Sequence, residues 1–127
     1  MAKLSIRIDF APEAHLGPGK ARLLELIGET GSISAAGRAL DMSYRRAWLL
    51  VDSLNATFKE PVVSTMLGGK AGGGARLTPY GRDVIQHYRK LEARAAAACK
   101  THLAALEGAL AKNPSPKKVD KDPDAAE

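Results

Sequence analysis

Residues 31–55 have the sequence GSISAAGRALDMSYRRAWLLVDSLN, and the spacing of their apolar residues predicts two helices joined by a short turn. Ser32 suits the N-cap position of a helix, because its hydroxyl can accept a hydrogen bond from the first helical turn. The apolar residues that follow at helical spacing are Ile33, Ala36 and Leu40. The pattern predicts a short helix of about eight residues, in which Gly37 or Ala36 allows close packing against a neighbouring helix.

The same stretch continues with a tight turn and a longer helix. Asp41-Met42 forms the turn, and Ser43 can cap a helix that runs to about Phe58. The candidate residues for the inner face of this helix are Ala47, Leu50 or Val51, Leu54 and Phe58. A short helix, a turn of about three or four residues and a longer helix together are typical of a helix-turn-helix.

The segment before this pair predicts a strand and a first helix. Residues 3–10 alternate, with Leu4, Ile6, Ile8 and Phe10 on one face and Ser5, Arg7 and Asp9 on the other. This period of two predicts a half-buried strand that ends at Ala11-Pro12. The next helix should begin at Gly17-Pro18-Gly19 and end between Gly28 and Gly31. Its apolar stripe consists of Leu23, Leu24, Leu26 and Ile27.

The segment after the pair predicts a hairpin and a long last helix. Residues 62–67 (VVSTML) favour a strand, residues 68–75 are rich in glycine, and residues 75–78 (ARLT) favour a returning strand. Thr78 can cap a further helix, with Pro79 at its first position. We expect this helix to span residues 79–111.

The last helix carries an apolar stripe that a small domain is too short to cover. Its members recur every three or four residues: Val84, Tyr88, Leu91, Ala95, Cys99, Leu103, Leu106 and Leu110. Part of the stripe is therefore expected to pack on a second copy of the chain. Residues 113–127 combine prolines with many charges, so we expect a domain over residues 1–112 and a disordered charged tail. The predicted class is mainly α with a small β component.

Composition and net charge narrow the classes of function that the chain can have. The 127 residues include one cysteine, which excludes an intramolecular disulfide and argues against a zinc site built from cysteines. No apolar run of about 18 residues and no signal-peptide pattern is present, so we expect a cytoplasmic protein. The net charge is +5: residues 1–112 hold 16 basic and 10 acidic residues, and the tail holds three lysines and four acids. A basic body favours a polyanionic partner such as nucleic acid, the alternative being solubility alone.

The start of the second helix of the pair holds the candidate DNA contacts, which are Ser43, Tyr44, Arg45 and Arg46. In a helix-turn-helix the N-terminal residues of the second helix face base edges. Arginine can bond guanine through two hydrogen bonds, and serine and tyrosine can bond phosphates or bases. The alternative is an ordinary helix pair with solvated arginines. Trp48, one turn later, is expected in the core and not at a contact.

The glycine-rich segment GGKAGGG does not fit a nucleotide-binding loop, because Lys70 is followed by Ala71 where the Walker pattern requires Ser or Thr. At a hairpin tip after a helix-turn-helix it matches the wing of a winged helix, where glycines let the backbone approach DNA. The candidate contacts of the wing and its flank are Gly69, Lys70, Gly72, Gly73 and Arg76. The alternative is a tip that contacts nothing.

Catalysis and metal binding are not expected. His15, His87 and His102 are far apart in sequence, and none forms the i,i+4 pair of a helical metal site. Cys99 is interpreted as a small apolar residue and not as a nucleophile. We therefore expect neither an enzyme nor a cofactor.

Taken together, GSISAA, MSYRRAW and GGKAGGGARLTPYG resemble the N-terminal domain of the molybdate-responsive ModE regulators over roughly residues 4–110. The first part is also similar to the helix-turn-helix of LysR-type regulators. The resemblance implies a winged helix-turn-helix, with Ser43–Arg46 at the recognition-helix start, Gly68–Arg76 in the wing, and Ser32 and Ser34 as supporting residues. It also implies dimerisation through residues 79–111. The expected interface residues are Tyr88, Leu91, Ala95, Cys99, Leu103, Leu106 and Leu110.

Full-length members of that family carry C-terminal molybdate-binding domains, and we expect this chain to lack them. The expected function is therefore a homodimeric regulator that binds inverted-repeat DNA at molybdenum-linked genes and lacks the molybdate-binding domain. A separate molybdate-sensing protein is a candidate partner. The alternative is a winged-helix module that binds such a sensor protein instead of DNA.

Overall fold

The computed structural model describes residues 2–66 and 74–114. Within these ranges the protein is mainly helical with two small antiparallel sheets, which confirms the predicted class. The elements in chain order are β1 (Ile8–Ala11), β2 (Ala14–Leu16), α1 (Pro18–Thr30), α2 (Ile33–Ala39), α3 (Tyr44–Thr57), β3 (Val63–Met66), β4 (Gly74–Leu77), α4 (Pro79–Ala98) and α5 (Lys100–Gly108). Of the expected tail, residues 115–127 lie outside the described ranges.

The N-terminal strand is shorter than predicted and belongs to a hairpin. Leu4, Ile6 and Ile8 are half-buried, as the alternation predicts, but regular pairing begins only at Ile8, with β2 as the partner. The alternation also predicts an inward-pointing Phe10, yet this side chain is 51% exposed and contacts Phe58 edge-on. The register shifts between Asp9 and Ala11, which breaks the alternation at Phe10.

Helix α1 begins at Pro18 and supplies much of the core, as predicted. Its four stripe residues, Leu23, Leu24, Leu26 and Ile27, are all buried. Gly31 ends the helix in the left-handed conformation, with φ of 71°, and its N–H bonds the Ile27 carbonyl. Gly28 does not end the helix but lies inside it, where a Cβ would come within 3.2 Å of the Leu77 side chain.

The predicted helix pair and turn are present as α2, residues 40–43 and α3. Ser32 Oγ accepts from the Ala35 N–H at 3.0 Å, and Ser43 Oγ accepts from the Arg46 N–H at 3.1 Å. A Cβ on Gly37 would lie 2.9 Å from the Ala47 Cβ, so the two helices approach closely because this residue is glycine. On α3, Ala47, Val51 and Leu54 are buried, whereas Leu50 and Phe58 are half-buried against the core.

The predicted hairpin pairs β3 with β4, from Val63 opposite Leu77 to Met66 opposite Gly74. The Ala75 N–H donates to the Gly31 carbonyl at 2.9 Å, which docks β4 against the end of α1. Asn55, near the end of α3, holds the other strand. Its Oδ1 accepts from the N–H groups of Val62 and Val63 at 2.8 and 3.1 Å, and its Nδ2 donates to the Val63 carbonyl at 3.0 Å.

Asn55→Ala is expected to destabilise the protein by about 2–3 kcal/mol, because three backbone groups at the start of the hairpin lose their partner. Asp52→Ala, at an exposed position on the same helix, serves as the control and should change stability by about 0.5 kcal/mol or less. Urea unfolding of the two variants measures the difference. Equal midpoints would show that the Asn55 side chain does not hold the hairpin.

Helix α4 starts as predicted, with Thr78 Oγ1 accepting from the Gly81 N–H at 2.8 Å and Pro79 in the first turn. The expected single helix over residues 79–111 differs from the structure, which divides it at Cys99 and ends it at Gly108. Hydrogen bonds from the Cys99 N–H to Ala95 and from the Leu103 N–H to Cys99 still bridge the interruption. At Cys99 the backbone has φ of −96° and ψ of 7°, which departs from regular α-helical geometry.

Tyr88 corrects the expected dimer interface. Its side chain is 2% exposed, and its hydroxyl donates to the Ile6 carbonyl at 2.7 Å. Burial raises the pKa of this hydroxyl, with the neighbouring Glu92 contributing. The N-terminal segment thus covers the first part of the α4 stripe, and Tyr88 is a core residue of its own chain that is unavailable to a second copy.

An ion network centred on Arg89 joins α1 to α4. Arg89 contacts Glu25 through Nε and Nη2, both at 3.0 Å, and Glu92 through Nη1 at 2.7 Å. The hydrogen bond from Arg89 lowers the pKa of the Glu25 carboxyl.

Candidate nucleic-acid interface

The N-terminal end of α3 presents cationic side chains to solvent. Arg45 and Arg46 are exposed, and neither forms an ion pair with any residue in the described ranges. By contrast, Arg7, Arg22 and Arg89 all pair with carboxylates. The first-turn N–H groups of a helix add partial positive charge at the same end. This end of α3 can therefore receive an anionic or hydrogen-bond-accepting partner without first breaking ion pairs.

Tyr44 and Trp48 form an aromatic pair beside these arginines. The Tyr44 ring is 62% exposed and meets Trp48 edge-on, with 6.1 Å between ring centroids. Trp48 packs against the core, as the sequence predicts. Its indole N–H is buried without a hydrogen-bond partner among the described residues. Trp48 therefore packs against Tyr44 from the side of the core, while the Tyr44 side chain stays largely exposed.

The predicted serines serve mainly as local supports. Ser43 Oγ is engaged as the cap of α3, although its hydroxyl hydrogen can still be donated outward. Ser32 caps α2 in the same way. Ser34 accepts from Arg38 Nη1 at 2.8 Å within α2 and makes no hydrogen bond to α3 in the part of the chain that the structure describes.

Arg76 provides a second cationic group on a different element. It is exposed on β4, opposite Ser64 of β3, and Arg82 lies nearby on α4, where it donates to the Leu77 carbonyl at 3.2 Å. The two arginines border an open cleft of about 300 Å³ between the end of α1 and the hairpin. The other predicted contacts of the hairpin, Gly69, Lys70, Gly72 and Gly73, lie outside the described residues.

Backbone contacts that the sequence does not reveal link α2 and α3 to the hairpin. Asn55 ties α3 to β3, and Gly31 ties the start of α2 to β4. Gly81 packs so tightly under the hairpin that a Cβ would overlap the Val62 carbonyl oxygen. Asn55 and Gly81 have no sequence signal of their own, because their partners are distant backbone atoms.

Among the described residues, no group of three His, Cys, Asp or Glu side chains is arranged to hold a metal ion. Cys99 is a free, half-buried thiol at the junction of α4 and α5. No helix within the described ranges is long and apolar enough to cross a membrane.

Comparison with known proteins points to molybdenum-related proteins. No protein-family model matches the chain. It is 49% identical over 80 residues to the molybdenum-pterin-binding protein MopB of Rhodobacter capsulatus, covering 63% of this chain and 30% of MopB. It is 39% identical over 92 residues to the molybdenum transport protein ModE of Azotobacter vinelandii, covering 72% of this chain and 33% of that protein.

A third relative is named for regulation. The chain is 33% identical over 87 residues to the DNA-binding transcriptional dual regulator ModE of Escherichia coli, covering 68% of this chain and 33% of the relative. None of these three names supports the LysR-type resemblance. The chain spans about a third of the length of these curated relatives, and its homologues are thus ModE and Mop proteins, some of them named transcriptional regulators.

Proposed function

We propose that this chain is the DNA-binding module of a molybdenum-linked transcription regulator and that it acts by binding, not by catalysis. In this proposal α2 and α3 form a helix-turn-helix, α3 is the recognition helix, and the β3–β4 hairpin is the wing. The observation that carries the proposal is the pair of exposed arginines, Arg45 and Arg46, without ion-pair partners among the described residues at the N-terminal end of α3.

The chemistry of that helix end suits duplex DNA. Guanine presents two acceptors in the major groove, and an arginine side chain can bond both at once. The free first-turn N–H groups and the hydroxyls of Ser43 and Tyr44 suit phosphate oxygens. Arg76 and Arg82 would contact the backbone from the wing side. The name of the Escherichia coli relative supports the same partner.

The apolar face that α4 and α5 leave uncovered supports the proposed homodimer. Leu91, Leu106 and Leu110 are 42%, 66% and 58% exposed, and Ala95, Cys99 and Leu103 lie half-buried between them. A second copy would cover this face by two-fold symmetry, which places two α3 helices on an inverted repeat. Tyr88 is not part of the proposed interface.

The link to molybdenum rests on the names of the relatives, which include a molybdenum transport protein and a molybdenum-pterin-binding protein. We propose that the chain acts in the cytoplasm on molybdenum-linked genes, with a separate molybdate-sensing protein as a partner. The exposed α4–α5 face favours a second candidate function, in which the chain binds only a sensor protein. Stoichiometric capture of one protein without affinity for DNA would select that alternative.

The proposal is tested by selecting binding sites from a pool of random duplexes with the full chain. We expect enrichment of an inverted repeat and a complex that contains two protein chains, as measured by native mass spectrometry. The Arg45→Ala, Arg46→Ala double variant is the control and should enrich no sequence. If the wild-type chain also enriches none, the regulator proposal fails.

A further inference from the structure

We propose that Leu49 is a specificity-determining residue of the α3 face and that it contacts the 5-methyl group of a thymine next to the guanine bonded by Arg45. The inference rests on the proposed function, because it requires α3 to lie in the major groove. It deepens that function by naming a second base that the module recognises and the side chain that recognises it.

Leu49 lies on the same face of α3 as the arginines. It follows Arg45 by four residues and Arg46 by three, and such neighbours are adjacent on a helix surface. Its side chain is 55% exposed and does not join the core cluster. The core side of α3 is formed by Ala47, Val51 and Leu54, which are buried. The packing of α3 against the core therefore does not explain why residue 49 is apolar.

An isolated exposed leucine is ordinary on a protein surface, so the position of Leu49 matters more than its exposure. Along this face of α3 the side chains change from cationic, at Arg45 and Arg46, to apolar at Leu49 and then to anionic at Asp52. Asp52 is exposed and forms no ion pair with a described residue. Its carboxylate would be repelled by phosphates, so DNA should meet α3 only as far as Leu49.

Thymine is the base whose major-groove edge suits a leucine. Its C5 methyl is the apolar group on that edge, whereas cytosine offers an amino donor. Along the helix, Arg45 and Leu49 are separated by roughly 6 Å, which corresponds to about two base-pair steps of roughly 3.4 Å. The thymine should therefore lie within about two base pairs of the guanine in each half-site.

The test removes only the methyl group. In the duplex obtained by selection, each thymine is replaced in turn by uracil, and affinity is measured by fluorescence anisotropy. For the wild-type chain, one position per half-site should weaken binding about four-fold, the value of one buried methyl group. Leu49→Ala should bind the thymine and uracil duplexes equally at that position. Leu49→Met keeps an apolar side chain and should retain most of the methyl sensitivity.

Equal urea unfolding midpoints for the wild-type chain and the two variants would show that differences in DNA affinity do not come from differences in stability. Wild-type binding that is indifferent to every uracil, or a Leu49→Ala variant that keeps the four-fold sensitivity, would overturn the assignment while leaving DNA binding intact. A selected half-site without thymine within two base pairs of the guanine would overturn it as well. Failure of the wild-type chain to bind any duplex would instead reject the proposed function, and this inference with it.

Discussion

Arg45→Ala is expected to weaken binding to the selected duplex by roughly 5- to 150-fold per half-site, the range for losing one bidentate arginine–guanine pair. Binding to a scrambled duplex should weaken far less, because non-specific binding depends on phosphate contacts. The side chain is exposed and unpaired among the described residues, so the loss should not include a change in stability. Anisotropy on both duplexes measures the two effects.

Arg76→Ala is the matched control, since it removes an exposed arginine from the hairpin instead of from α3. It should weaken both duplexes evenly and reduce the slope of log affinity against log salt by about 0.9 per half-site, as loss of one phosphate contact in each half-site does. An equal loss on both duplexes for Arg45→Ala would make Arg45 a phosphate contact and contradict its assignment to base recognition.

Gly81→Ala is expected to destabilise the protein by about 2–3 kcal/mol, because an added methyl group is forced into a filled space. The Cβ would overlap the Val62 carbonyl oxygen and lie 2.9 Å from Leu77 Cδ1. The carbonyl cannot easily move aside, since it also accepts from the Thr78 N–H at 3.0 Å. Thermal unfolding should show a melting temperature roughly 10–15 °C lower than that of the wild-type chain.

Gly19→Ala provides the control for that substitution. Gly19 also lies in the first turn of a helix, but a methyl group added to it would meet no atom within 4 Å in the part of the chain that the structure describes. Its replacement should leave the melting temperature unchanged or slightly higher, because alanine favours the helix. Equal melting temperatures for the two variants would mean that Gly81 is not the close contact between α4 and the hairpin.

Features set by neighbouring residues were predictable from the sequence. The caps at Ser32, Ser43 and Thr78 depend on hydrogen bonds within one helical turn. The close approach at Gly37 and the β3–β4 hairpin follow from glycine and from the order of apolar residues. The exposed arginines of α3 follow from the same spacing, since the core takes the opposite face.

Features set by distant residues were not predictable. The N-terminal segment lies across α4, which turns Tyr88 from an expected interface residue into a core residue. Strand β2 has three residues, too few for an alternating pattern to identify a strand, so only its pairing with β1 reveals it. Asn55 was missed because its partners, Val62 and Val63, are bonded through the backbone and leave no pattern of side chains. The exposure of Leu49 is not predictable either, because an apolar residue within an amphipathic helix is normally assigned to the core.

The most direct test of DNA recognition by α3 is fluorescence anisotropy of the full chain on the selected duplex and on a scrambled duplex of equal length across a salt series. The account predicts tighter binding to the selected duplex at every salt concentration and a steep fall in affinity for both as salt rises. Equal affinity for the two duplexes, or no binding even at low salt, would contradict it.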